Sequence, residues 1–119
     1  MPEKKENLDE RRKYQRVNFA CSITIRGASG KFHAVTRNIS REGLSFESQD
    51  LFAVKEKYVF EFSSSSGPVF KLKGEIFWTM PSKDAHLYGV KFTSLGIFCR
   101  WKLKSLVDKL INEEEKGKF

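Results

Sequence analysis

From Val17 onward, hydrophobic and polar residues alternate. Val17, Phe19, Cys21, Ile23 and Ile25 fall on one parity, and Asn18, Ala20, Ser22, Thr24 and Arg26 on the other. Successive side chains of a strand point to opposite faces, so the pattern predicts a half-buried strand over 17–26. Gly27-Ala28-Ser29-Gly30 follows as a short hairpin connection. A second strand is expected over 32–39, with weaker alternation, and a third over 44–47. Tyr58, Phe60 and Phe62 share one side of a fourth. Beyond a Ser-Gly-Pro loop, the fifth spans 69–79, with Phe70, Leu72, Gly74, Ile76 and Trp78 on one parity. Gly74 is the expected site of a bend or bulge there. A sixth covers 87–92.

The period then changes. Leu95, Phe98, Cys99, Leu103, Leu106, Val107, Leu110 and Ile111 recur at three and four residues, the stripe of an amphipathic helix. Thr93 or Ser94 is the expected N-cap. Trp101 falls beside the stripe, as a partner contact or as the edge of the core. Glu113, Glu114 and Glu115 oppose the dipole at the helix end, which predicts a frayed tail over 112–119. Residues 1–9 mix charges without an apolar period and read as a flexible N-terminal arm. One domain over 10–111 remains: an all-β fold, a six-stranded antiparallel barrel with a C-terminal helix.

Composition narrows the class. Eleven of the sixteen aromatics are Phe, so a phenylalanine-rich core is expected. No stretch approaches the roughly 20 apolar residues of a membrane span, and the N-terminus has no apolar signal region. Two cysteines, Cys21 and Cys99, are too few for a disulfide framework and suggest the reducing cytoplasm. With His33 and His86 they lack zinc-site spacing, so no metal is expected. No Ser-His-acid or Cys-His arrangement is evident, so an enzyme is the least favoured class. The net charge is +7, and residues 10–43 alone carry +6. Such a focused excess predicts an anionic partner.

Two segments concentrate the candidate chemistry. Arg11-Arg12-Lys13-Tyr14-Gln15-Arg16 places four cations in six residues, just before the first strand. In an extended chain Arg12 and Arg16 lie about 13 Å apart, and a turn lets both close on one ligand. Their guanidinium forks suit phosphates and guanine edges. Asn38-Ile39-Ser40-Arg41-Glu42-Gly43 lies between the second and third strands. Asn38 and Ser40 would share a face if extended, offering an amide and a hydroxyl. Gly43 suits a turn or a close approach. By itself this segment also reads as an ordinary Asx or Ser turn.

Taken together, Arg-x-x-x-Arg (Arg12, Arg16) and Asn-x-Ser-x-x-Gly (Asn38, Ser40, Gly43) resemble the PilZ domain family. Gly74-Glu75-Ile76-Phe77-Trp78 and Tyr88-Gly89-Val90-Lys91-Phe92 are similar to its last two strands. The resemblance covers residues 10 to about 111 and implies a six-stranded barrel that binds the bacterial second messenger cyclic di-GMP. It implies that Arg12 and Arg16 clamp guanine and phosphate, that Asn38 and Ser40 contact the other guanine, and that Gly43 allows the approach. Asn38 departs from the commoner Asp and offers one neutral carbonyl oxygen. Arg11 is compatible with a stacked ligand pair or with plain solvation. Arg41 and Trp78 are ligand-adjacent candidates, Trp78 by stacking or as strand packing. Arg37 and Arg41 suit long-range steering. The expectation is a cytoplasmic receptor that relays the messenger to a partner protein by ordering its arm. The alternatives are a PilZ-fold interaction module without nucleotide, and a barrel for single-stranded nucleic acid, which calls for exposed aromatics.

Overall fold

The computed structural model describes residues 15–63, 67 and 69–116. Among these the elements are β1 (Val17–Asn18), β2 (Ser22–Gly27), β3 (Gly30–Ile39), β4 (Gly43–Ser48), β5 (Lys57–Ser63), β6 (Val69–Pro81), β7 (His86–Thr93) and the helix α1 (Ile97–Lys116). The strands lie side by side in the order β3-β2-β5-β6-β7-β4, every neighbour antiparallel, and β3–β4 pairing closes the ring. This is a closed six-stranded barrel. β1 is an extra strand, added to β3 beyond the end of β2. The Gly27–Gly30 hairpin forms as expected, with Gly30 at a φ of 138° that favours glycine.

The predicted first strand is therefore two pieces. Asn18 pairs with Asn38 and Ser22 with Val35, so three residues on one side oppose two on the other. That is a β-bulge, and Thr36 stabilises it. Its buried hydroxyl donates to the Phe19 carbonyl at 2.6 Å and accepts from the Cys21 N–H at 2.9 Å. The weak alternation of the second predicted strand has a related cause. Arg37 is an extra residue in β3 against β4, since Thr36 pairs with Phe46 but Asn38 with Ser45. Phe77 plays the same part in β6 against β7. The bulge of β6 is thus at Phe77 and not at Gly74. Gly74 serves packing, because a Cβ there would stand 2.6 Å from Val90 Cγ1.

The core is rich in phenylalanine, as composition implies. Phe19, Phe46, Phe52, Phe60, Phe62, Phe70 and Phe92 are all buried, among Ile23, Ile25, Ile39, Leu44, Ile76 and Val90. Tyr88 is buried in their midst, and its hydroxyl donates to the Asp50 carbonyl at 2.8 Å, which ties down the loop between β4 and β5. α1 joins this core through Leu103, Leu106 and Val107.

Three helix expectations change. Thr93 ends β7 and Ser94 has a φ of 53°, so neither caps α1; the Gly96 carbonyl accepts from the Arg100 N–H at 2.9 Å instead. Phe98, assigned to the buried stripe, is exposed, and Leu95 precedes the helix. α1 also runs through Lys116, past the expected end near 111. Its last turns are held by Glu114, which accepts from the Asn18 N–H at 3.0 Å.

Candidate ligand-binding site

Arg16 immediately precedes β1, and β1 pairs with the end of β3. This brings two segments 22 residues apart in the chain to one rim, where Arg16 Nη1 donates to Asn38 Oδ1 at 3.0 Å. From Asn38 a row of paired residues crosses the barrel wall. Asn38 faces Ser45 on β4, Ser45 faces Gly89 on β7, and Gly89 faces Trp78 on β6.

The two bulges put this row on the outer surface. Thr36 and Ile76 are buried on the inner face. In regular strands Asn38 and Trp78, two residues further on, would also point inward. The extra residues Arg37 and Phe77 reverse the phase at both ends of the row, a way in which bulges re-aim side chains. Trp78 therefore leaves the parity of Phe70 and Leu72 and lies across Gly89. A Cβ at Gly89 would stand 2.0 Å from the indole Nε1.

The result is a cleft of about 380 Å³ lined by Arg16, Asn38, Ser45 and Trp78, with Arg37 and Leu87. Its chemistry is mixed: a guanidinium, an amide, a hydroxyl and an indole converge on one space. Ser45 is 1% exposed, and its hydroxyl lacks a hydrogen-bond partner among the described residues. Arg37 is ion-paired with Glu47 at 2.7 Å and leads into an adjoining groove of about 760 Å³ over β3 and β4. Among the described residues no group of three His, Cys, Asp or Glu side chains could hold a metal ion.

The other expected site residues are placed differently. Ser40 does not share a face with Asn38, because β3 ends between them and the chain turns. Ser40 is 1% exposed, its Oγ accepts from the Glu42 N–H at 3.2 Å, and its own N–H donates to the Gly43 carbonyl at 2.8 Å. Gly43 is needed for backbone packing, since a Cβ there would stand 2.1 Å from the Val90 carbonyl oxygen. Arg41 reaches α1, where it pairs with Asp108 at 3.2 Å, so it does not line the cleft. Bonds from Lys104 and then from Arg41 hold the Asp108 carboxyl below its ordinary range. Arg11 and Arg12 lie outside the described residues.

Ser45, Leu87 and Gly89 were not legible as site residues. Ser45 is one polar position in an alternating strand, and Leu87 one apolar position in another. Gly89 alone carried a signal, a glycine inside a strand that invites close approach.

A family model for the PilZ domain matches residues 10–107. The chain belongs to the PilZ family. Solved structures with the same fold include the PilZ domain of YcgR from Escherichia coli with c-di-GMP, at a TM-score of 0.76 and 12% identity, covering 91% of this chain and 97% of that one. The Bacillus subtilis inhibitor of motility MotI/DgrA gives a TM-score of 0.76 at 11% identity, over 91% of this PilZ chain and 53% of that protein. The K. pneumonia MrkH–c-di-GMP complex gives 0.74 at 12% identity, over 89% and 55%. This PilZ chain thus spans about half the length of MotI and MrkH. No curated protein sequence matches it.

Proposed function

We propose that this PilZ domain is a bacterial, cytoplasmic receptor for cyclic di-GMP, a binding module rather than an enzyme, and that the ligand sits in the cleft between Arg16 and Trp78. The Arg16–Asn38 hydrogen bond beside the indole carries this reading, since a fork donor, an amide and a stacking ring meet at one rim. Guanine presents O6 and N7 on one edge, and a bidentate guanidinium contact there is worth about 1–3 kcal/mol. Arg16 exchanges Asn38 for the ligand, giving up a part-buried, charge-assisted hydrogen bond worth about 1.5–3 kcal/mol and regaining charge-assisted bonds to guanine or phosphate. The freed amide of Asn38 then reads a second edge, and Trp78 offers a face to a base. Arg11 and Arg12 add guanidinium groups from the basic segment that precedes β1. Ser40 and Gly43 act through the turn that holds Asn38. The c-di-GMP complexes of YcgR and MrkH support the choice of ligand.

The relay belongs to the same proposal. Ligand draws residues 1–16 across the cleft and changes the surface that a partner protein meets, an order–disorder switch. Arg16 leads straight into β1, and the Asn18 N–H of β1 is bonded to Glu114 of α1, so the strand that follows Arg16 is tied to the helix.

Calorimetric titration tests the proposal. Saturable heat with cyclic di-GMP, but not with GTP or cyclic GMP, is expected. Arg16→Ala should melt like the wild type and bind at least tenfold more weakly, about 1.4 kcal/mol. A folded wild type that gives no heat, or an Arg16→Ala variant that titrates normally, overturns it.

A further inference from the structure

Helix α1 carries charge against its own dipole. Carboxylates stabilise a helix N-terminus and cations its C-terminus. Here the first turn has no acidic residue, Arg100, Lys102 and Lys104 follow within the first eight positions, and Glu113 and Glu114 lie near the other end. Glu114 is bonded to Asn18 and Lys104 to Asp108, but helix stability does not account for Arg100 and Lys102.

Barrel packing does not account for the apolar residues beside it. At 3.6 residues per turn, Leu103, Leu106, Val107 and Leu110 centre on one side of α1, and Ile97, Phe98 and Trp101 on the opposite side. These three are 85%, 80% and 67% exposed. Together they present on the order of 400 Å² of apolar surface, large enough to mark an interaction site. By the same geometry Arg100 and Lys104 flank them on one side and Lys102 on the other. Among the described residues Arg100 and Lys102 have no ion pair, while Lys104 pairs with Asp108 at 2.8 Å.

We infer that the start of α1 docks on the surface of an anionic phospholipid bilayer. Ile97, Phe98 and Trp101 enter the headgroup boundary, and Arg100, Lys102 and Lys104 meet lipid phosphates. The patch holds an indole, and its bordering cations Arg100, Lys102 and Lys104 outnumber the carboxylate Glu42 that lines the groove beside Ile97 and Trp101, the pattern of an interfacial helix face. The cations gain there what they lose against the dipole, because an anionic leaflet attracts each of them. The patch is about half of the roughly 800 Å² that each partner buries in a stable protein interface. No helix among the described residues is long and apolar enough to cross a membrane, so the contact is superficial. The inference does not depend on the nucleotide reading.

Vesicle partitioning tests it, with Trp78→Phe as the background so that Trp101 is the sole indole. The probes are vesicles of equal parts phosphatidylglycerol and phosphatidylcholine, and vesicles of phosphatidylcholine alone. Expected are co-sedimentation and a blue shift of Trp101 emission with the anionic vesicles only, both reversed by salt. Phe98→Ser should lower partitioning at least tenfold with unchanged melting, and separately Arg100→Glu with Lys102→Glu should do so with melting unchanged or raised, since carboxylates suit the start of the helix. Arg16→Ala should partition like its parent, which separates this result from failure of the nucleotide cleft. No partitioning, equal partitioning into neutral vesicles, or Phe98→Ser binding unchanged overturns the inference. A dimer in sedimentation analysis that Phe98→Ser abolishes also overturns it, and assigns the face to a second copy of the chain.

Discussion

The indole of Trp78 occupies the space that a side chain at Gly89 would need: a Cβ there would stand 2.0 Å from Nε1. The two residues are cross-strand partners at the end of the row that begins at Asn38. Gly89→Ala should therefore push the ring off the barrel wall. The expected cost to stability is about 1–3 kcal/mol, as for other overpacked sites. Displacing or removing the ring should weaken nucleotide binding about tenfold or more if a base stacks on it, since stacking is worth about 1–3 kcal/mol per base. Trp78→Phe should retain more affinity than Trp78→Ala. In a Trp101→Phe background, Trp78 emission reads the displacement. An unchanged spectrum for Gly89→Ala contradicts the packing argument.

Ser45 supplies a prediction in which stability and affinity part company. Its hydroxyl is buried without a protein partner among the described residues. An unsatisfied buried hydroxyl costs about 1–3 kcal/mol, so Ser45→Ala should leave the melting temperature unchanged or raise it. Ser45 lies between Asn38 and Gly89 in the row, at the lining of the cleft. If the hydroxyl is satisfied by ligand, the same variant should bind cyclic di-GMP more weakly. A fall in stability with intact affinity would mean that the hydroxyl serves the fold.

What the sequence conveyed and what it hid follow from strand periodicity. Alternation located the barrel strands because one face of each meets a phenylalanine-rich core. Alternation does not single out Arg16 and Asn38; the two motifs that together resemble the PilZ family do. Alternation fails where a single extra residue reverses the phase. Trp78 shares parity with Phe70 and Ile76 in the chain, yet the bulge at Phe77 turns it outward. Asn38 owes its outward aim to Arg37 in the same way. A bulge has no fixed composition, and Gly74, the residue that looked like one, serves packing instead. The PilZ resemblance implies a guanine contact for Ser40 and a close approach for Gly43, while in the structure their hydrogen bonds and packing lie in the turn and in the β4–β7 pair.

Gly43→Ala tests that last distinction. Its Cβ would stand 2.1 Å from the Val90 carbonyl oxygen, and a backbone atom in a closed barrel cannot step aside as a flexible side chain can. The expected loss is about 3 kcal/mol, the upper range for overpacking. It should appear in the melt. Affinity, measured well below the transition, should fall by less than in Arg16→Ala. A stable Gly43→Ala protein that has lost only ligand binding would restore the close-approach role.

The ion pairs of Asp108 make a pH-dependent prediction. Asp108 accepts from Lys104 at 2.8 Å and from Arg41 at 3.2 Å, and so links α1 to the turn after β3. These bonds hold its carboxyl below the ordinary value of 3.8 in the folded protein. A carboxyl whose folded pKa is depressed stabilises the fold above its unfolded pKa, and that contribution is lost as pH falls through the folded value. Solvent screening keeps the contribution small. Asp108→Asn should therefore melt slightly below the wild type, by a constant margin between about pH 5 and 8. The margin should close as pH falls below 3.8. Arg41→Ala should narrow it at neutral pH, since Asp108 then keeps only Lys104. A margin that widened toward acid would mean that the neutral carboxyl is the favoured form, with a hydrogen-bond acceptor facing it in place of the two cations.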